Sequence, residues 1–207
     1  MLNISPRKNF ERELPEGYKL VVHLDAKSPK LGIIFNLIAL VIAAVVIGGA
    51  IVIANLFGGA RTTVAVKYIP TLLAFILAML GYIVLHELTH GFFYKRMTGE
   101  KLTFGFSWSC AFCGVPHIYT YARTAKRSAA GPLVIFSAIF IPLIAICFFL
   151  NPTLYLLSVS LFAIHLGGCC GDMYILILIA KYKDPRMLIR DTGAEQFIYM
   201  PDGSAEA

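Results

Sequence analysis

Charge is what this sequence has least of. Only 14% of its 207 residues are Asp, Glu, Lys or Arg, against 58% hydrophobic, and a water-soluble domain of this size cannot be coated from so small a polar supply. The scarcity is concentrated. Residues 31–60, 68–94, 132–150 and 153–180 carry just two charged side chains between them, Glu87 and Asp172. Each stretch approaches or exceeds the ~20 residues that cross a bilayer core as a helix. Lipid offers the backbone no hydrogen-bond partners, so such a stretch must satisfy its own amides and carbonyls as a helix. The expectation is an all-α integral membrane protein with four transmembrane helices. The first run is about twice the length of a signal-peptide core and begins 30 residues in, so it is expected to remain as a membrane helix.

Other absences narrow the reading further. There are five cysteines and a single C-x-x-C, Cys110–Cys113, while the vicinal Cys169–Cys170 pair lies inside an apolar run. A structural zinc knuckle needs a second such pair, so small residues in an aromatic-rich segment are the better account. No internal repeat or low-complexity tract divides the chain. One membrane domain over residues 31–181, with an N-terminal arm of 1–30 and a tail of 182–207, is the simplest division.

The 18 Lys and Arg residues alternate along the chain. Six precede the first helix, two (Arg61 and Lys67) follow it, and six lie between the second and third helices. None lies at Asn151–Pro152, and four follow the last helix. The positive-inside rule then places both termini in the cytoplasm. The net charge of +6 reads as a topology signal and makes no case for nucleic acid. Cytoplasmic loops also make the cysteines reduced thiols.

Two stretches at the ends, "GYKLVVHLD" and "QFIYM", have the composition of short strands. Residues 102–122, "LTFGFSWSCAFCGVPHIYTYA", lack charge but alternate aromatic and small residues with a strand period, and Pro116 interrupts them. A small cytoplasmic-side β-hairpin or re-entrant segment between helices two and three is expected there, rather than a fifth span.

Against this background "HELTH", residues 86–90, stands out. His86 and His90 are one turn apart on one helix face, a spacing that lets both imidazoles reach one metal at ~2.0–2.1 Å. Glu87 beside the first ligand is then placed to act as general base on a metal-bound water, the H-E-x-x-H pattern. An ionisable group in the membrane interior costs ~2.5–3.5 kcal/mol by insertion scales, so it is rarely kept without a function. Zn2+ is the expected ion.

A catalytic zinc needs a third protein ligand. Asp172 is the candidate: it lies nine residues before Lys181, as His86 lies nine before Lys95, so each is ~13 Å above its basic anchor. Gly167, Gly168 and Gly171 would let its helix approach a neighbour closely. His165 is the rival, ~10 Å away along a regular helix, and it suits a supporting polar contact better.

The order of these elements is similar to the core of site-2 proteases: "HELTH" ends one helix, a hairpin follows, "SAAGPLVIF" opens the next helix, and "GGCCGDMY" lies in the one after. The whole chain more closely resembles a small bacterial family of membrane zincin peptidases, a domain of unknown function, in its "LPEGYKLV" opening, its Gly-Asp helix and its "RDTGAEQFIYMP" ending. The resemblance implies His86, His90 and Asp172 as zinc ligands and Glu87 as the base. It departs from the site-2 pattern in having glycine before Asp172 and methionine after it. The implied activity is a zinc metallopeptidase, multi-pass in a bacterial cytoplasmic membrane. Its partners would be the lipid bilayer and a peptide or membrane-protein substrate. A metal transporter or sensor, and a non-catalytic scaffold descended from a protease, are the alternatives; helices one and three offer little polar lining for transport.

Overall fold

The computed structural model describes residues 8–57, 69–107 and 111–203. In chain order it contains β1 (Phe10–Glu11), β2 (Tyr18–Asp25), α1 (Pro29–Leu56), α2 (Ile69–Thr98), β3 (Thr103–Phe106) and β4 (Ala111–Gly114). There follow β5 (Tyr119–Tyr121), α3 (Ala122–Leu150), α4 (Pro152–Gly168), α5 (Cys170–Tyr182), β6 (Leu188–Asp191) and β7 (Glu195–Pro201). The loop residues Arg61 and Lys67, and Cys110, lie outside the described residues.

Three helices, α1, α2 and α3, are each long and apolar enough to cross a membrane, and α4 with α5 makes a fourth if the bent pair is one span. Their Ile- and Val-rich sequences have no special helix propensity in water. Leu40, Val41, Val45, Leu73, Leu77 and Phe149 all leave more than half of their surface open. A soluble monomer does not expose apolar surface on this scale. This is a multi-pass membrane protein.

The fourth apolar run departs from the expected single regular helix. It breaks at Cys169, with a bend of 44° between α4 and α5. Asn151 starts α4 well, its side-chain oxygen accepting from the N–H groups of Thr153 (2.8 Å) and Leu154 (3.1 Å) with Pro152 at the first turn. The run then enters Gly167-Gly168-Cys169-Cys170-Gly171, where glycines lower helix propensity by about 1 kcal/mol each, and the helix stops. Asp172 consequently falls in the first turn of a new helix, where a carboxylate suits the positive end of the helix dipole. The third helix also begins earlier than its apolar run, so Arg123, Lys126 and Arg127 are helical residues of α3 rather than loop residues.

The chain forms two compact units. The first is built from the described parts of Met1–Gly32, His86–Gly131 and Asp172–Ala207, the second from those of Ile33–Leu85 and Pro132–Gly171. In the second, helices pack through small residues. Ala50 and Ala54 of α1 meet Tyr155 and Val159 of α4 and Cys147 of α3, with the Tyr155 hydroxyl donating to the Ala50 carbonyl at 2.9 Å. A Cβ on Gly167 would press on Ala39.

The first unit holds more β-structure than an all-α class allows. The strands at the two chain ends do not stay separate: β2 pairs antiparallel with β7 from Tyr18↔Pro201 to Asp25↔Glu195, with one register shift between Leu20 and Val22. Together with β1, β5 and β6 they make a five-stranded sheet in the order β1-β5-β6-β7-β2. One sheet face covers Ile175 and Leu178 of α5 and Ala122, Ala125 and Ala129 of α3, with Met187, Ile189, Ile198 and Met200 filling the core. Residues 103–114 hold an antiparallel hairpin, β3 with β4, in the register Thr103↔Gly114 to Phe106↔Ala111.

Candidate metal centre

The hairpin and α3 both close on the end of α2 that carries HELTH. A Cβ on Gly91 would sit 2.8 Å from the Phe104 ring and 3.0 Å from Leu102, and one on Gly131 would run into the Phe93 ring. Glycine at these two positions lets the hairpin and α3 lie directly against the helix on either side of His90.

Within the first unit, His86 (7% exposed) and His90 (8% exposed) turn their Nε2 atoms towards each other at 3.2 Å. Asp172 joins them from α5. One of its oxygens, Oδ2, lies 3.3 Å from His86 Nε2, and the other, Oδ1, lies 3.3 Å from His90 Nε2. Nδ1 of His90 is 3.0 Å from the Ser128 carbonyl. A carbonyl can only accept, so His90 Nδ1 carries a proton and Nε2 is the atom turned towards Asp172 and His86.

This arrangement fits a zinc ion on three grounds. Donors at ~2.0–2.1 Å from a tetrahedral ion stand about 3.3–3.4 Å from one another; the two Nε2 atoms are 3.2 Å apart and each has one Asp172 oxygen at 3.3 Å, a different oxygen for each histidine. Asp172 Oδ2 is a buried side-chain oxygen that lies 3.3 Å from His86 Nε2 but in no hydrogen-bond geometry among the described residues, and a buried carboxylate oxygen is costly unless well satisfied. Two imidazoles and a carboxylate are also the donor types zinc takes in catalytic sites. Glu87 is half-buried beside His86 and within electrostatic reach of His86, His90 and Asp172.

His165, the rival ligand, is fully buried in the second unit. Its Nδ1 pairs with the Tyr82 hydroxyl at 2.8 Å and lies 3.6 Å from Cys169 Sγ, while its Nε2 pairs with Ser137 at 3.1 Å. The rings of Phe136, Phe140 and Phe162 pack around it. His23 is a surface residue of β2, stacked on Phe197 and 3.0 Å from Glu195, and His117 is exposed in the turn after β4. Cys113, the described member of C-x-x-C, is buried in β4; burial pushes its thiol up to about 12, helped by the nearby Asp191 and Glu87 charges.

Two polar residues escaped the sequence reading. Tyr94 lies one turn beyond His90, on the helix stripe of His86 and His90, and its hydroxyl donates to Asp191 Oδ2 at 2.6 Å. Asp191 ends β6 and is 4% exposed. Burial pushes its carboxyl up, opposed by the bonds from Tyr94 and the Gly193 N–H. The i, i+4, i+8 spacing of His86, His90 and Tyr94 was available in the sequence as a signal; for Asp191, outside every apolar run, there was none.

Two imidazoles one turn apart, with a glutamate between them and a carboxylate from a second helix, define the class of helix-borne zincin-type sites. The family comparison agrees. Residues 79–185, just over half of the chain, match the family described as "Putative zincin peptidase", and the chain belongs to it. No curated protein and no solved structure matches.

Proposed function

We propose that this chain is a zinc-dependent peptidase embedded in a bacterial cytoplasmic membrane, with both termini inside, that cuts peptide bonds near the cytoplasmic face. The observation that carries the reading is the cluster of His86 Nε2, His90 Nε2 and the Asp172 carboxylate, in which the nitrogens are 3.2 Å apart and each carboxylate oxygen lies 3.3 Å from one of them. His86, His90 and Asp172 would hold the ion. Bound there, zinc lowers the pKa of a water towards ~7 and polarises a carbonyl.

The protein's own groups do the rest. The Ser128 carbonyl fixes His90 in the tautomer that presents Nε2. Glu87 takes a proton from the attacking water and returns it to the leaving amine, a role that contributes about 10²–10⁴-fold. The hairpin supports an extended substrate. Among the described residues the outer edge of β3 pairs with no other strand, and an edge of this kind binds peptides by strand addition. An extended segment also frees the scissile carbonyl, which a helix would keep in its own hydrogen bonds.

The test pairs elemental analysis with hydrolysis of a quenched-fluorescent peptide library, on detergent-purified protein. The wild type should carry near one zinc per chain and Asp172→Ala far less. Glu87→Gln should keep the zinc and lose hydrolysis by at least about 10²-fold. No zinc in the wild type after zinc is supplied, or a Glu87→Gln variant at wild-type rate, would overturn the mechanism.

A further inference from the structure

The proposed centre leaves unexplained a buried carboxylate in the C-terminal segment. Asp191 is surrounded by donors: the Tyr94 hydroxyl at 2.6 Å and the Gln196 amide at 3.4 Å on Oδ2, and the Gly193 N–H at 2.8 Å on Oδ1. Its own backbone carbonyl accepts the Val115 N–H at 2.8 Å, just beyond β4. The turn that follows is wedged into the hairpin. Gly193 has a φ of +92°, and a Cβ on it would run into the Phe112 ring; a Cβ on Gly114 would run into the backbone of Thr192 and Gly193.

Tyr94 carries the connection inward. It is 3% exposed and packs with Val115 and Ile118. Ser128 is the residue whose carbonyl accepts from His90 Nδ1, and its hydroxyl lies 3.4 Å from the His90 carbonyl. The path therefore runs from the tail to Tyr94 and, one turn back along α2, to the imidazole of a proposed ligand. A hydrophobic residue would close the same gap at less cost, because burying a carboxylate is expensive even when it is hydrogen-bonded.

We infer that Asp191 and Tyr94 are positioning residues for the metal centre: their bond anchors the turn of α2 that carries His90 to the C-terminal turn and so fixes that imidazole for the ion, which makes the C-terminal turn part of the site. This rests on the zinc reading above. Partners of this kind orient ligands, and their loss costs about 10–100-fold in metal affinity.

The experiment measures zinc affinity of the full chain in detergent by competition with a chromophoric chelator, and ligand geometry by the visible spectrum of the cobalt-loaded protein. The set is wild type, Tyr94→Phe, Asp191→Ala and the double variant. Each single variant should weaken zinc about 10–100-fold and shift the cobalt bands. The double variant should lose little more than either, as expected of two groups acting as one unit. Tyr94→Phe removes one oxygen atom, so it keeps the test alive should Asp191→Ala fail to fold. A merely structural role would lower the unfolding temperature of the metal-free protein while leaving zinc affinity and the cobalt spectrum unchanged, and that result overturns the inference. Failure of the underlying reading looks different, because the wild type itself would then bind no zinc.

Discussion

Gly114→Ala is the sharpest test of how the hairpin is seated. A Cβ at this position meets backbone, the Gly193 nitrogen and the Thr192 carbonyl carbon, rather than the end of a flexible side chain. No rotamer change relieves such a contact. The Asp191–Gly193 turn would have to retreat by roughly an ångström to reach ordinary van der Waals separation. That movement stretches the 2.8 Å bond from Val115 N–H to the Asp191 carbonyl, and a lost bond of this type costs about 1 kcal/mol. Overpacking adds about 1–3 kcal/mol. The expected total is about 2–4 kcal/mol, large beside the ordinary effect of a point substitution.

The assay is reversible unfolding in detergent, with Gly99→Ala as the comparison. Gly99 also needs glycine, having a φ of +73°, but a Cβ there meets nothing within 4 Å. It should therefore show only the left-handed backbone penalty of about 1–2 kcal/mol. Gly114→Ala as stable as wild type would refute the claim that the tail turn and the hairpin are in backbone contact.

Two further outcomes follow from the same structure. Chelation should lower the unfolding temperature of the zinc-loaded protein, and added zinc should restore it, because an ion that binds only the folded state stabilises by about 2.7 kcal/mol at a hundred times its Kd; an unchanged midpoint in both directions would count against a resident ion. Asn151→Ala should destabilise by about 0.5–2 kcal/mol through loss of the α4 cap, read by the same unfolding assay, while Asn151→Asp should stay close to wild type.

The site divides by the range of the interactions that make it. His86, Glu87 and His90 are legible in the sequence because helical periodicity is local: four residues fix their relation whatever surrounds them. Asp172 is legible by exclusion, as the one other carboxylate in the apolar runs. Its approach to both imidazoles within 3.3 Å belongs to packing. A regular fourth helix was the natural reading of an unbroken apolar run, but hydropathy does not register where glycines and cysteines interrupt the backbone ladder, and the break at Cys169 follows from those residues.

The fold divides in the same way. Membrane character follows from composition, since no arrangement of this chain supplies a polar coat. The strands "GYKLVVHLD" and "QFIYM" are visible as strands, yet their pairing joins residues some 170 positions apart through β2 and β7, and nothing in either segment names its partner. The link from Asp191 to Tyr94 spans 97 positions and joins a tail residue to a membrane helix. By itself the sequence determined which segments are apolar, where the helix-borne donors lie, and which family the ending resembles. Only the tertiary structure decided that the two ends form one sheet and that a buried aspartate from the tail reaches the helix that carries HELTH. Periodicity and composition act over a few residues, whereas sheet register and buried polar pairs are chosen by the packing of distant segments.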